Sequence, residues 1–284
     1  MTMTLAGVIG WPVGHSLSPA LHGFWLGEHR IDGAYVPLPV RREDFARVVD
    51  GLARAGFAGL NVTIPHKEAA FAIAHDCDDA AALAGAVNLL LFKDGGRIEG
   101  RNVDAAGLAA SLAEGLGADA LRGQIAVVIG AGGAARAAVL ALDGLGAKTI
   151  RIVNRHAVRA DALAQNFAGR ISAQIATVLW SDWEQAAAGA SLLLNATSAG
   201  MRGTPSLDLA LAPLAKDAAV CDVVYNPLDT PLLKAARARG HRVVDGLGML
   251  MHQAVPAFAA FYGVTPKVTP ALRAELERAL GHVS

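Results

Sequence analysis

Cysteine is nearly missing from this 284-residue chain: Cys77 and Cys221 stand alone, with no Cys-x-x-Cys pair. Their scarcity excludes a disulfide framework and a thiolate zinc site, and it fits a reducing compartment. A charge excess is missing as well. Lys plus Arg number 25 and Asp plus Glu number 25, with no basic or acidic block, so nothing addresses a polyanion or an anionic membrane surface. Hydrophobic residues make up 53% of the chain, yet no uninterrupted apolar run reaches the roughly 18 residues that a spanning helix needs. Met1-Thr2-Met3-Thr4 carries no basic segment, and Leu5 to Trp11 is too short for a signal peptide. The expectation is a cytoplasmic protein with neither nucleic acid nor membrane as partner. The nine histidines form no His-x-x-x-His pair, so zinc-dependent alcohol oxidation has no visible ligands, and the Tyr-x-x-x-Lys pair of short-chain dehydrogenases does not occur. Asp76, Asp78 and Asp79 lack the central glycine of a calcium loop and read as the start of a helix; no metal site is expected.

What the chain does have is a regular alternation of short β-branched runs with Ala/Leu-rich stretches of helical length, the pattern of an α/β fold. A length of 284 residues exceeds what one core usually holds, which makes two domains the natural division. Strands are expected at Leu5 to Ile9, Ala34 to Leu38 and Leu60 to Ile64, with helices from Pro19, Arg42 and Pro65. A hairpin, Val87 to Lys93 and Arg97 to Asn102, turns at Asp94-Gly95-Gly96. A second series of βα units starts at Ile125 to Ile129 and continues with strands at Thr149 to Val153, Leu192 to Asn195, Ala219 to Val224 and Arg242 to Asp245. Helices from Gly248 and Pro270 close the chain and are expected to return to the first domain.

Ile125 to Ile129 runs into Gly130-Ala131-Gly132-Gly133-Ala134-Ala135 and then a helical stretch, the strand, glycine turn, helix order of a dinucleotide fingerprint with Ala135 in the third glycine's place. Gly130 permits the tight turn, Gly132 lets backbone approach a pyrophosphate, and the helix N-terminus offers N–H groups and the positive end of its dipole. An NAD site usually carries an acid at the end of the next strand. Here that strand ends Asn154-Arg155, and Arg155 with Arg159 one turn on suits a 2′-phosphate, which predicts NADP as cofactor.

Three features of the first part call for explanation. In His15-Ser16-Leu17-Ser18-Pro19, Ser18 reads as an N-cap with Pro19 as the first helical residue, while Ser16 is unexplained; two hydroxyls beside a helix N-terminus make either a cap or a carboxylate cradle. In Asn61-Val62-Thr63-Ile64-Pro65-His66-Lys67, Lys67 falls in the first helical turn, where the dipole disfavours a cation; it either snorkels into solvent or exchanges a proton with a substrate oxygen. Asp104 reads either as the N-cap of an Ala-rich helix or as a carboxylate that holds Lys67 and accepts a substrate hydroxyl, the pairing that alcohol oxidation requires.

Taken in order, these segments resemble the shikimate dehydrogenase family along nearly the whole chain. The resemblance rests on Gly10 to Pro19 (GWPVGHSLSP), Asn61 to Lys67 (NVTIPHK), Gly85 to Asn88 (GAVN), the turn at Gly130, Asn195 to Gly200 (NATSAG), Asp222 to Pro227 (DVVYNP) and Asp245 to Gln253 (DGLGMLMHQ). It implies an N-terminal α/β substrate domain completed by C-terminal helices (1–104 with 246–284) plus a Rossmann-type NADP-binding domain (105–245). It also implies reversible reduction of 3-dehydroshikimate to shikimate, by a monomer or homodimer. Lys67 would be the acid/base and Asp104 its partner. Ser16, Ser18, Thr63 and Tyr225 would surround the substrate carboxylate, and Asn61, Asn88, Asp104 and Gln253 would reach the ring hydroxyls. NADP would be met by Gly130, Ala131, Gly132, Gly133, Ala134, Asn154, Arg155, Arg159, Val223 and Gly246. Three residues depart from the family pattern. Val103 and Ala105 replace the more usual Thr and Gly around the aspartate, removing a hydroxyl, and His156 stands where Thr is frequent. Two rivals follow: a quinate/shikimate enzyme of broader substrate or NAD use, and an NADP-sensing protein that kept the fold without the chemistry.

Overall fold

A computed structural model of the chain describes residues 3–282. The chain divides into two compact units, Met1–Val103 with Met251–Ser284, and Asp104–Leu250.

The first unit alternates β1 (Thr4–Gly10), α1 (Ser18–Glu28), β2 (Gly33–Pro39), α2 (Phe45–Arg54), β3 (Phe57–Val62), α3 (Lys67–Ile73), β4 (Asp76–Cys77), α4 (Asp79–Ala84), β5 (Leu89–Phe92) and β6 (Ile98–Arg101). These strands form one mixed sheet in the order β2-β1-β3-β5-β6-β4. β1 pairs parallel with both β2 and β3, while β5 runs antiparallel to β3 and β6, which makes the β5–β6 hairpin. The period of two along each strand sorts side chains to the two faces. Ala6, Val8, Leu89 and Leu91 join one core cluster with Tyr35, Val103 and Phe261; Ile9, Leu60, Val62 and Leu90 join the other with Phe45 and Val49. The C-terminal segment belongs to this unit: the Trp25 indole donates to the Lys267 carbonyl at 3.1 Å and the Tyr262 hydroxyl to the Ala34 carbonyl at 3.0 Å.

The second unit runs α5 (Asp104–Leu116), β7 (Ile125–Ile129), α6 (Gly133–Gly144), β8 (Thr149–Asn154), α7 (Ala157–Phe167), β9 (Gln174–Leu179), α8 (Trp183–Ala187), β10 (Leu192–Asn195), β11 (Ala219–Asp222), α9 (Pro231–Ala238) and β12 (Val243–Val244). Its six strands are all parallel, in the order β12-β11-β10-β7-β8-β9. This is the doubly wound order, with its switch point between β7 and β10. Val127, Ile129, Val153, Leu193 and Val220 fill one face together with Trp183 and Leu233. Two helices remain, α10 (Gly246–Tyr262) and α11 (Pro270–His282), and the division between units falls within α10. No helix among the described residues is long and apolar enough to cross a membrane.

Several expected boundaries shift. The third strand ends at Val62, not Ile64, and the helix expected from Pro65 starts at Lys67, because Ile64 and Pro65 form the turn between them. Arg42 opens a short 3-10 turn, with α2 proper from Phe45. The strands β4 and β9 lie outside every expected strand.

Candidate active site

In the first unit the candidate residues gather at the C-terminal ends of β1 and β3 and at the adjoining hairpin. Ser18 is the first helical residue of α1 and not its cap; the cap position is Leu17, which offers no capping side chain, and the Ser16 hydroxyl accepts the Ser18 N–H at 3.2 Å. The Ser18 side chain is 6% exposed, and a side-chain hydrogen bond links it to the Tyr35 phenol. Tyr35 in turn donates to Asn61 Oδ1 at 2.7 Å, and Asn61 Nδ2 donates to the Asn88 carbonyl at 3.4 Å. Asn88 Oδ1 accepts the Val103 N–H at 2.8 Å. Ser18, Asn61 and Asn88 are thus joined in one buried polar line, and the residue that joins the first two, Tyr35, carries no motif that would have singled it out.

Lys67 opens α3, half-buried, and its carbonyl accepts the Val87 N–H at 2.9 Å. The residue before it anchors this corner. His66 is buried, stacks on Phe45 with ring centroids 4.6 Å apart, and its Nε2–H donates to the Val40 carbonyl at 2.7 Å. A carbonyl only accepts, so the Nε2 tautomer is fixed. Thr63 lies between β3 and this turn, its N–H donating to the Ile9 carbonyl at 3.0 Å. Gln253 is half-buried on α10. Val103, one of the departures, packs its side chain into the core beside Leu89 and Leu91. Asp78 caps α4 by accepting the Ala81 N–H at 2.7 Å, which accounts for one of the three neighbouring aspartates.

In the second unit Asp104 opens α5 and is buried, with its carboxylate in the first turn, where the helix dipole favours an anion. Tyr225 is half-buried and belongs to this unit, as does Asp104, whereas Ser16, Ser18, Thr63 and Lys67 belong to the first.

The glycine turn lies at the switch point of the parallel sheet. Gly130 has φ +118°, and a Cβ there would stand 3.0 Å from Thr197 Cγ2 and 3.2 Å from the Ala196 carbonyl oxygen. Gly132 has extended backbone and is exposed, with open space where a Cβ would point; it stands immediately before α6, which starts at Gly133. The N–H groups of Gly133, Ala134 and Ala135 are the first of that helix and have no intrahelical acceptor. Ala135 is fully buried, in the position where close helix packing calls for a small residue.

Beside the turn an open groove of about 210 Å³ is lined by Asn154, Arg155, Trp180, Thr197, Ser198 and Thr204, among others, with no carboxylate in its wall. The Arg155 guanidinium lies over the Trp180 ring, 5.7 Å from its centroid. Asn154 Nδ2 donates to the His156 carbonyl at 2.9 Å, shaping the chain as it leaves β8. His156 and Arg159 are exposed and do not line the groove. The donor set and the missing carboxylate suit a phosphorylated ribose.

The loops that wall the groove are held from behind by a buried hub. Asn195 and Asp222 occupy matching final positions of β10 and β11 and are fully buried. Asn195 Oδ1 accepts the Thr197 N–H and hydroxyl, at 3.1 and 2.7 Å, and its Nδ2 donates to Asp222 Oδ1 at 3.0 Å. Asp222 also accepts the Val224 N–H and the Thr230 hydroxyl, and Thr230 caps α9. Val223 follows directly, and a Cβ on Gly246 would stand 2.2 Å from its carbonyl oxygen, so these two candidates are neighbours. Burial raises the Asp222 carboxyl, with the Thr230, Val224 and Asn195 bonds opposing. Because the folded value is raised, its contribution to stability is present in full below the unfolded carboxylate range and is lost as pH rises through the raised value. Asp222→Ala is expected to cost roughly 3 kcal/mol or more in urea denaturation, since three buried donors lose their acceptor; a loss under 1 kcal/mol would show the hub to be dispensable. Cys221, next to it, is a buried thiol pushed up by the same burial.

Known proteins are similar to this chain over nearly its full length. Residues 8–90 match the family described as shikimate dehydrogenase substrate binding domain, and residues 111–202 match shikimate / quinate 5-dehydrogenase. A shikimate dehydrogenase (NADP(+)) of Acidiphilium cryptum is 53% identical over 268 residues, 94% of each chain. Among solved structures, a shikimate 5-dehydrogenase of Thermus thermophilus in complex with NADP(H) and shikimate is 35% identical, covers 99% of this chain and 100% of its own, and has a TM-score of 0.85. A quinate dehydrogenase of Corynebacterium glutamicum in complex with NAD is 32% identical, covers 98% and 99%, and has a TM-score of 0.87. With both of its units matched and a relative this similar over nearly its full length, the chain belongs to the shikimate dehydrogenase family.

Proposed function

We propose that this protein is an NADP-dependent shikimate dehydrogenase that reversibly reduces 3-dehydroshikimate to shikimate. The observation that carries the reading is a phosphate-ready glycine turn at the switch point of a doubly wound sheet, next to a carboxylate-free groove that holds Arg155. The near-full-length relation to a shikimate dehydrogenase (NADP(+)) supports it. When bound, NADP(H) supplies or takes the hydride. The backbone of Gly130 to Ala134 is suited to its pyrophosphate, Asn154 and Arg155 to its 2′-phosphate with Arg159 nearby in sequence, and Val223 and Gly246 to its remaining contacts. Lys67 is the acid/base group that exchanges the proton of the reacting oxygen, with Asp104 as its partner. Ser16, Ser18, Thr63 and Tyr225 are assigned to the substrate carboxylate, and Asn61, Asn88 and Gln253 to its hydroxyls. In this reading the enzyme acts in the cytoplasm on a small molecule, as a monomer or homodimer without nucleic acid.

The test is nicotinamide absorbance with shikimate and quinate, each paired with NADP and with NAD. Turnover confined to shikimate with NADP is expected. Quinate or NAD turnover of similar efficiency would favour the broader quinate/shikimate enzyme, and silence in all four pairs with NADP still bound would favour a sensor. Arg155→Ala is expected to raise KM for NADP about 10- to 100-fold and to leave that for NAD nearly unchanged, the loss of a charge-assisted contact. Equal effects on both cofactors would remove Arg155 from 2′-phosphate recognition.

A further inference from the structure

Asn61 is an amide whose two ends offer opposite chemistry, oxygen accepting and nitrogen donating, and a ligand sees one or the other according to how the group is turned. Its surroundings settle the choice. Tyr35 is 7% exposed, and its ring lies flat against His22, with centroids 3.8 Å apart and planes 6° from parallel. The ring, and with it the phenol oxygen, is held by this stacking on His22 and by Phe261 nearby, 6.3 Å away between centroids. It is hydrogen-bonded to the Ser18 side chain and donates to Asn61 Oδ1 at 2.7 Å. Burial raises the phenol well above its usual range, with Tyr262 adding to the rise and the Ser18 bond opposing, so the group stays protonated and remains a donor.

We infer that Tyr35 is a positioning residue for substrate recognition: its hydroxyl holds the Asn61 amide with oxygen inward and nitrogen toward the ligand, and ties that orientation to Ser18 on α1. The inference rests on the proposed assignment of Asn61 and Ser18 to substrate. Asn61 Nδ2 uses one N–H on the Asn88 carbonyl, and the second is the donor it presents. A substrate hydroxyl meets this group as an acceptor and keeps its own proton for another partner. Losing the Tyr35 hydroxyl frees the amide to rotate and to present its oxygen instead, which turns a matched contact into a mismatched one in a buried place.

Tyr35→Phe removes one oxygen and keeps the ring on His22. It is expected to raise KM for shikimate roughly tenfold, with kcat changed less than threefold and KM for NADP unchanged. Tyr262→Phe serves as the control: it also deletes a phenol bond within the same aromatic cluster, to the Ala34 carbonyl, so its stability loss is comparable while KM for shikimate stays at the wild-type value. In an Asn61→Ala background, Tyr35→Phe is expected to add nothing to KM, because the effect passes through Asn61. An unchanged KM in Tyr35→Phe, an equal rise in Tyr262→Phe, or additive effects with Asn61→Ala would each overturn the inference. Wild-type protein that turns over no shikimate would overturn the functional reading, a result visible before any variant is made.

Discussion

Lys67→Ala is expected to lower turnover of shikimate by about two orders of magnitude or more, while KM changes less, the pattern of a lost general acid/base group. The corner around Lys67 makes this a clean substitution. Its position is held by backbone and by its neighbours: the Lys67 carbonyl accepts Val87 N–H, and His66 is fixed by Val40 and Phe45. Truncation at Cβ leaves all of these in place, so a fall in rate reports chemistry and not a displaced helix. Steady-state kinetics with NADP and shikimate decide the matter, and near-normal turnover would take Lys67 out of the mechanism.

The second large effect concerns acid stability. His22 lies wholly buried among Trp25, Tyr35, Phe258, Phe261 and Tyr262, and neither ring nitrogen has a hydrogen-bond partner. Burial lowers its pKa to about 3. The folded value lies below the unfolded one, so the neutral ring contributes in full above pH of about 6.5, and that contribution is lost as pH falls toward the folded value. Each pH unit in that window should cost the native protein roughly 1.4 kcal/mol from this one group. His22→Leu keeps a side chain of similar size and removes the titration. Between pH 6.5 and 4.5 its stability should therefore fall roughly 3 kcal/mol less than that of wild type, measured by denaturant midpoints at both pH values. Parallel loss in the two proteins would show that His22 titrates with no linkage to folding.

How far the sequence foretold these sites depended on whether the signal was local. Ile125 to Ile129 matches its strand in full, because an inner parallel strand covered on both faces reads as an unbroken apolar run. The edge strand Gln174–Leu179 escaped notice: most of its side chains face solvent, so neither an apolar run nor a clean alternation marks it. Asp76–Cys77 is too short to leave any pattern. Pro65 misled in a different way, since proline at a helix start and proline in a turn look alike until the backbone is seen. Ser18, expected as an N-cap, is instead the first helical residue of α1, and the Ser16 hydroxyl accepts its N–H. The polar contacts that bind the site together are non-local. Tyr35 to Asn61 and Asn195 to Asp222 span 26 and 27 residues, and each depends on strand register, so neither residue type nor spacing reveals them.

The two glycines at the head of α6 are two residues apart and answer to different masters. Gly130 is required by the chain itself, through its left-handed backbone and the nearness of Thr197. Gly132 has ordinary extended backbone and empty space before it, so nothing in the folded protein demands it. A descendant that kept this fold and gave up the nucleotide would retain the first glycine and let the second drift. The fate of that one position in a lineage would then record whether a dinucleotide was still being held.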